Sequence, residues 1–300
     1  MLVPQLVKPL LMEAPSGPGR PAHVAAASGV VRMGRFLYVV ADDEVQLAVF
    51  EEDASRGRWV ALLEGQLSAD PAARKAEKPD FEVLCRLPPR PAWSDGALVA
   101  LPSGSAAPRR SGAVAPLGPS GDLAAPAWRF DLGPLYDQLA AELEAKVNVE
   151  GAALLGDRLL LMHRGAGQRR SALVEVDLER VVEAAAEKGA VSANAIRDLH
   201  EVALPEVDGW PLAFTDGLAL ADGTIAFTAV AEKTADPVAD APCAGSAVGR
   251  IDRRGKVVRL EMLEGAPKVE GLTLQGEKAW LVTDQDDPSR PAQLLWVKLP

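Results

Sequence analysis

The stretch Asn148-Val149-Glu150-Gly151-Ala152-Ala153-Leu154-Leu155-Gly156-Asp157-Arg158-Leu159-Leu160-Leu161-Met162-His163-Arg164-Gly165 reads as one β-hairpin. A carboxylate and a glycine lead into an apolar run, Gly156-Asp157 supplies a tight turn, and a second apolar run ends in polar residues. The pattern recurs. Asp216-Gly217-Leu218-Ala219-Leu220 is followed by Asp222-Gly223 and Thr224-Ile225-Ala226-Phe227-Thr228. Glu270-Gly271-Leu272-Thr273-Leu274 is followed by Gly276-Glu277 and Ala279-Trp280-Leu281-Val282-Thr283-Asp284. Weaker starts of the same kind stand at Glu82-Val83-Leu84 and Ser28-Gly29-Val30.

Aligned on the acid-glycine position, the starts fall at 28, 82, 150, 216 and 270, with intervals of 54, 68, 66 and 54 residues. Each long interval contains a helical pattern of about the surplus length. Asp131 is a good N-cap, Pro134 suits a first turn, and Leu135, Leu139 and Leu143 follow at i, i+4, i+8, predicting a helix over about 132–145. Asp177 likewise caps Leu178, Val181, Val182 and Ala185, with Gly189 as the stop. Without these helices the period is nearly constant. Each period reads as four short strands, except that the last has three before the chain ends at Pro300. The apolar run Leu2 to Leu11 supplies the missing outer strand. Four-stranded units closed by joining the two ends of the chain predict an all-β fold. The expectation is a single β-propeller domain over 1–300, with five blades and two short inserted helices. A sixth blade requires that the Pro-rich region Leu87–Ser120 hide an irregular one. Within it, Ser103-Gly104-Ser105-Ala106-Ala107-Pro108 is expected to be an exposed loop.

Composition narrows the function. A 300-residue chain that is 48% hydrophobic can bury a sizeable core. A net charge of −10, with no basic cluster interleaved with aromatics, excludes nucleic acid as a partner. Lys8 interrupts the apolar N-terminal stretch, no cleavage site follows it, and no apolar run reaches bilayer length. A soluble, cytoplasmic protein without membrane contact is the expectation. Cys85 and Cys243 lack metal spacing, and Cys85 lies in an apolar strand as an inert buried thiol. No nucleophile elbow, P-loop or dinucleotide fingerprint occurs.

In a propeller blade the start of the first strand and the end of the second share one face. This topology gathers Glu82, Glu150, Asp216 and Glu270 at one mouth of the central channel. Asp42, Asp43, Ser103, His163, Arg164, Glu232, Lys233 and Asp284 to Asp287 join them there. Such carboxylates repel each other unless something compensates them. One answer is a divalent cation such as Ca²⁺, with Glu150, Asp216 and Glu270 as oxygen ligands and Asn148 adding an amide. A second is basic neighbours such as Arg164, Lys233 and Lys268, and a third is backbone N–H groups of the adjacent blade. Arg164, Asn148, Glu82 and Asp284 are candidate ligand-binding residues, and His163 is the candidate catalytic base, weighed against a plain role at the polar rim. Asp284-Gln285-Asp286-Asp287 lacks the glycine and closing glutamate of an EF-hand and reads as a solvated loop.

Three stretches carry a family resemblance: Asn148 to Ala153 running on to Gly165, Phe214-Thr215-Asp216-Gly217-Leu218-Ala219, and Lys268-Val269-Glu270-Gly271-Leu272. On them the chain resembles an uncharacterised bacterial propeller family with no assigned activity. The Glu-Gly-Leu blade starts are also similar to esterase-like phytase-type propellers and to the gluconolactonase/regucalcin class. In the latter class a Glu, an Asn and an Asp hold a divalent cation that activates lactone hydrolysis. The resemblance implies Glu150 or Glu270 and Asp216 at those positions, with Asn148 as the amide, although no Pro follows Glu150-Gly151. Three functions follow as expectations. The first is binding of a small-molecule ligand or a divalent cation at the acid-lined mouth. The others are metal-dependent hydrolysis of a lactone or phosphoester, and a non-enzymatic scaffold for a protein partner.

Overall fold

In the computed structural model, which describes residues 1–165, 171–234 and 241–300, five four-stranded antiparallel sheets form the blades of a propeller. Blade 1 is Ala27–Met33, Phe36–Ala41, Gln46–Glu51 and Arg58–Ala61. Blade 2 is Phe81–Leu87, Ala97–Pro102, Ser111–Pro116 and Trp128–Asp131. Blade 3 is Val149–Leu155, Arg158–His163, Ser171–Asp177 and Ile196–Val202. Blade 4 is Ala213–Ala219, Ile225–Glu232, Cys243–Ile251 and Val257–Met262. Blade 5 is Val269–Gln275, Lys278–Thr283 and Gln293–Lys298, completed by the N-terminal strand Gln5–Pro9, which pairs Gln5 with Trp296 and Pro9 with Gln293. Each first strand packs against those of both neighbouring blades, so the ring closes with five members. The Pro-rich region hides no further blade: it supplies the second and third strands of blade 2.

The core lies between blades. Val40, Leu47, Phe81 and Leu98 fill one interface, while Met162, Phe214 and Phe227 fill another, with the two rings of Phe214 and Phe227 edge to face at 5.3 Å. Each such buried side chain stabilises the fold by roughly 1.5–3 kcal/mol.

The two predicted helices are present as Gly133–Leu143 and Leu178–Glu187, and a third, Pro71–Glu77, precedes blade 2. Numbered in chain order, Pro71–Glu77 is α1, Gly133–Leu143 is α2 and Leu178–Glu187 is α3. Asp177 caps α3 by accepting the N–H groups of Glu179 and Arg180, and the left-handed residue that ends it is Lys188, one before Gly189. The N-cap of α2 is Leu132; Asp131 accepts the N–H of Gly133 at 2.7 Å instead. Leu135, Tyr136 and Leu139 of α2 and Val181 and Val182 of α3 join one core cluster with Val149 and Leu161, so both insertions thicken the outer side of blades 2 and 3. Seven residues long, α1 has no apolar stripe to advertise it, only the Asp70-Pro71 start, where Asp70 accepts the N–H of Ala73. No helix among the described residues is long and apolar enough to cross a membrane.

Every first strand carries a one-residue bulge near its start. The ladders skip Ser28, Glu82, Glu150, Thr215 and Glu270, so these residues have no partner on the second strand. The register corrects the alignment read from sequence: in blade 4 the position matching Glu150 belongs to Thr215, and Asp216 takes the place of Gly151. That place is crowded. A Cβ on Gly151 would sit 2.5 Å from the Asp216 Cα, and one on Gly271 would sit 2.6 Å from the Ser28 carbonyl, so the inner strands meet backbone to backbone there.

Candidate functional site

A bulge turns a side chain out of the regular alternation of its strand and re-aims it. Glu82, Glu150 and Glu270, from the bulges of three blades, line one cavity of about 70 Å³ at the mouth of the channel. The positions two residues earlier contribute Asp80, Asn148 and Lys268, and the second strands add Glu232 at an end and, just beyond their ends, Asp42, Arg164 and Asp284. Among the residues lining this cavity, seven carboxylates face five cations.

The charges form two linked groups. In the first, the Lys78 ammonium pairs with Asp42 and lies 2.8 Å from Asp80 Oδ1. Arg109 Nη1 donates to Asp80 Oδ2 at 2.9 Å, and the Ser103 hydroxyl donates to the same oxygen. Asp42, Asp80 and Glu82 each place an oxygen within 4.8 Å of the other two, a separation that one metal ion could bridge. In the second group Lys268 Nζ lies 3.1 Å from Glu232, 3.2 Å from Asp284, 3.8 Å from Glu270 and 2.6 Å from Asp286. Arg164 pairs with Glu232 and lies 3.6 Å from Glu150, whose other oxygen accepts from Asn148 Nδ2 at 2.6 Å.

Burial governs the titration of this cluster. It pushes Glu82 and Glu270 well above the ordinary carboxylate range, with the Glu150 charge adding to the shift of both. Burial likewise lifts Asp42 to about 7, with Asp43 and Asp80 adding, and Glu150 to about 6. Burial works against the charge of Lys78 and Lys268, but the carboxylates around each hold it protonated.

Of the candidate residues read from the sequence, Glu82, Asn148, Glu150, Arg164, Glu270 and Asp284 are brought together here. Asp216 is not among them. It is 2% exposed and accepts the N–H groups of Gly217 (2.7 Å), Leu272 (2.8 Å) and Ala152, tying blade 4 to blades 3 and 5. Burial pushes its carboxyl well above the usual range against the pull of those three donors. His163, 2% exposed, is buried at the end of its strand, with Nδ1 accepting the Asn148 N–H at 3.2 Å, and it does not line the cavity. Sequence reasoning missed Lys78, Asp80 and Arg109. One signal was available: Asp80 stands two residues before Glu82, as Asn148 stands before Glu150 and Lys268 before Glu270. The expected exposed loop is exposed only at Ala106–Pro108. Ser103 and Ser105 are 0% and 3% exposed, because both hydroxyls close around Asp80. Cys85 is buried and its thiol pKa is pushed up by desolvation; desolvation also lifts Cys243 to about 11.

Several solved structures have a similar fold. A candidate glycosidase from Bacteroides thetaiotaomicron superposes with a TM-score of 0.54 at 12% identity, covering 98% of this chain and 96% of that one. The α-L-arabinofuranosidase from Podospora anserina, solved with cellotriose, gives 0.52 at 11% identity, covering 99% and 96%. A gluconolactonase from Xanthomonas campestris gives 0.43 at 11% identity, covering 100% and 98%. At such identities the likeness is one of fold. Comparison with curated protein sequences finds no match. A family model does match, over residues 23–299, and the chain belongs to that family, the family of unknown function DUF6929.

Proposed function

We propose that the acid-lined mouth of the channel binds a divalent cation, held by Glu82 together with Asp42 and Asp80, whose oxygens lie within 4.8 Å of one another, and by Glu150 and Glu270 from across the cavity. One observation carries the reading: three bulges on three blades direct carboxylates into one small cavity in which acids outnumber bases. A cavity of about 70 Å³ has room for an ion with a few waters, each needing about 10–15 Å³ of such space. The donors are all oxygen, the chemistry of Ca²⁺ and Mg²⁺ rather than of zinc, and Ca²⁺ tolerates the irregular arrangement better than Mg²⁺. Asn148 already holds Glu150, and Arg164 and Lys268 steady the outer acids, so the ligands are preorganised by their neighbours. Asp216, with its oxygens on three backbone N–H groups, serves the joint between blades and not the ion.

A second reading, hydrolysis of a lactone or phosphoester, rests on the same cavity: a cation held there would polarise the substrate, and one of the lining carboxylates left off the ion would take the proton. The deciding measurement is a thermal-shift titration of chelator-treated protein with Ca²⁺, Mg²⁺, Mn²⁺ and Zn²⁺. A cation at a hundredfold its dissociation constant stabilises the native state by about 2.7 kcal/mol. The expected outcome is a rise selective for Ca²⁺ that the double variant E150Q/E270Q abolishes. A flat response to all four ions would overturn the reading, as would a rise that survives the double substitution.

A further inference from the structure

The other end of the channel holds a second cavity, of about 270 Å³, lined by the far halves of all five inner strands. Its floor is apolar and buried: Val30, Leu84, Ala152 and Leu272 are 1%, 4%, 3% and 2% exposed, one from each of blades 1, 2, 3 and 5. Leu218 of blade 4 and Leu274 of blade 5 are partly exposed around its opening. A sealed apolar cavity of about 150 Å³ already takes up benzene. The charge pattern is the second observation. In a chain of net charge −10 the described residues lining this cavity include Arg32 and Arg86 and no acid. Arg32 is spoken for, since its Nη2 lies 2.6 Å from Glu52 and its guanidinium stacks 5.6 Å from the Trp280 ring. Arg86 donates to the Asp95 carbonyl at 3.1 Å and, among the described residues, pairs with no carboxylate. Thr273, also in the lining, accepts the Arg32 N–H at 3.3 Å, which leaves its own O–H to donate.

We propose that this well binds a small amphiphilic monoanion, an apolar tail seated on the leucine-lined floor with a carboxylate held at the rim by Arg86 and the Thr273 hydroxyl. A guanidinium offers a planar fork matched to a carboxylate, and the apolar wall supplies the area that makes the contact more than an exposed ion pair. The site is separate from the acidic mouth and does not depend on a cation there.

Calorimetric titration with octanoate tests this, with octanol and octylammonium as neutral and cationic controls of the same tail. Saturable one-to-one binding of octanoate is expected, at least tenfold weaker for octanol and absent for octylammonium. Arg86→Glu should weaken octanoate at least tenfold, and Leu218→Trp, which fills the opening, should abolish binding without changing the melting temperature. Leu274→Trp repeats that test if the first variant folds poorly. The variant E150Q/E270Q should bind octanoate like the parent. No saturable heat below the critical micelle concentration, equal affinity for octylammonium, or affinity unchanged by both Arg86→Glu and the tryptophan would each overturn the proposal.

Discussion

The two ends of the channel are made from the same five strands and carry opposite chemistry. At the mouth, one bulged residue per blade leaves the strand alternation, and three of the five are glutamates; at the other end the alternation is regular and the lining is aliphatic with two arginines. Among the described residues the mouth holds two more acids than bases, while the well holds two bases and no acid. The difference teaches how little sequence change is needed to separate two kinds of site on one axis. A single register slip, repeated with five-fold regularity, sets the polar end, and ordinary hydrophobic pairing sets the apolar one.

The largest expected effect lies at the mouth. Arg164, 8% exposed, stands between Glu150 and Glu232, and Arg164→Met leaves both carboxylates without it. Loss of one partner from a buried ionic group costs about 3–5 kcal/mol, measurable by urea unfolding. Adding E150Q and E232Q to that variant should restore most of the loss; failure to do so would mean that Arg164 acts by packing and not by charge.

A middle-sized effect is a pH dependence peculiar to the same end. Asp42 at about 7 and Glu150 at about 6 bind protons more tightly in the folded chain than in the unfolded one. Their protonated forms therefore favour the fold, a contribution complete at low pH and lost as the pH rises through 6 and 7. From these two groups chelator-treated protein should be more stable at pH 5 than at pH 8 by on the order of 4 kcal/mol. The double variant E150Q/D42N should reduce the slope without removing it, since burial also lifts Glu82, Glu270 and Asp216, and an unchanged slope would place its origin in those groups alone. At the well the smallest effect is expected: Arg86→Glu, an exposed change without a broken ion pair, should alter unfolding stability by less than about 0.5 kcal/mol. A larger loss would show that Arg86 holds the fold and would blur the contrast between the ends.

The ring of blades was legible because hairpin length and turn chemistry repeat, and because Leu2 to Leu11 fits the vacancy in the last period. The alignment slipped by one residue in blade 4 because Thr215-Asp216-Gly217 imitates Glu150-Gly151 in letters. A bulge is a property of two paired strands and leaves no mark in either alone. Convergence of Glu82, Glu150 and Glu270 followed from topology. Their partners did not, since Lys78 and Asp80 arrive on the connection between blades 1 and 2, and Arg109 from the loop before the third strand of blade 2, segments without periodicity. The burial of Ser103 and Ser105 was hidden for the same reason: Gly, Ser and Ala spell a turn, and only Asp80 beneath them gives the hydroxyls a reason to face inward. The apolar well could not be read at all, because each blade adds only a few ordinary aliphatic positions to it.

The pairing of Gln5–Pro9 with Gln293–Lys298 also orders events during synthesis. The strand that completes blade 5 leaves the ribosome well before its partner, which follows it by nearly 290 residues. Bringing together residues nearly 290 apart is slow, because the entropy of so long a loop must be overcome before any contact rewards it. Until then the outer edge of Gln293–Lys298 has no neighbour, and an open edge can recruit another chain. The ring's last seam is therefore where a crowded or heated cell would first see this protein aggregate.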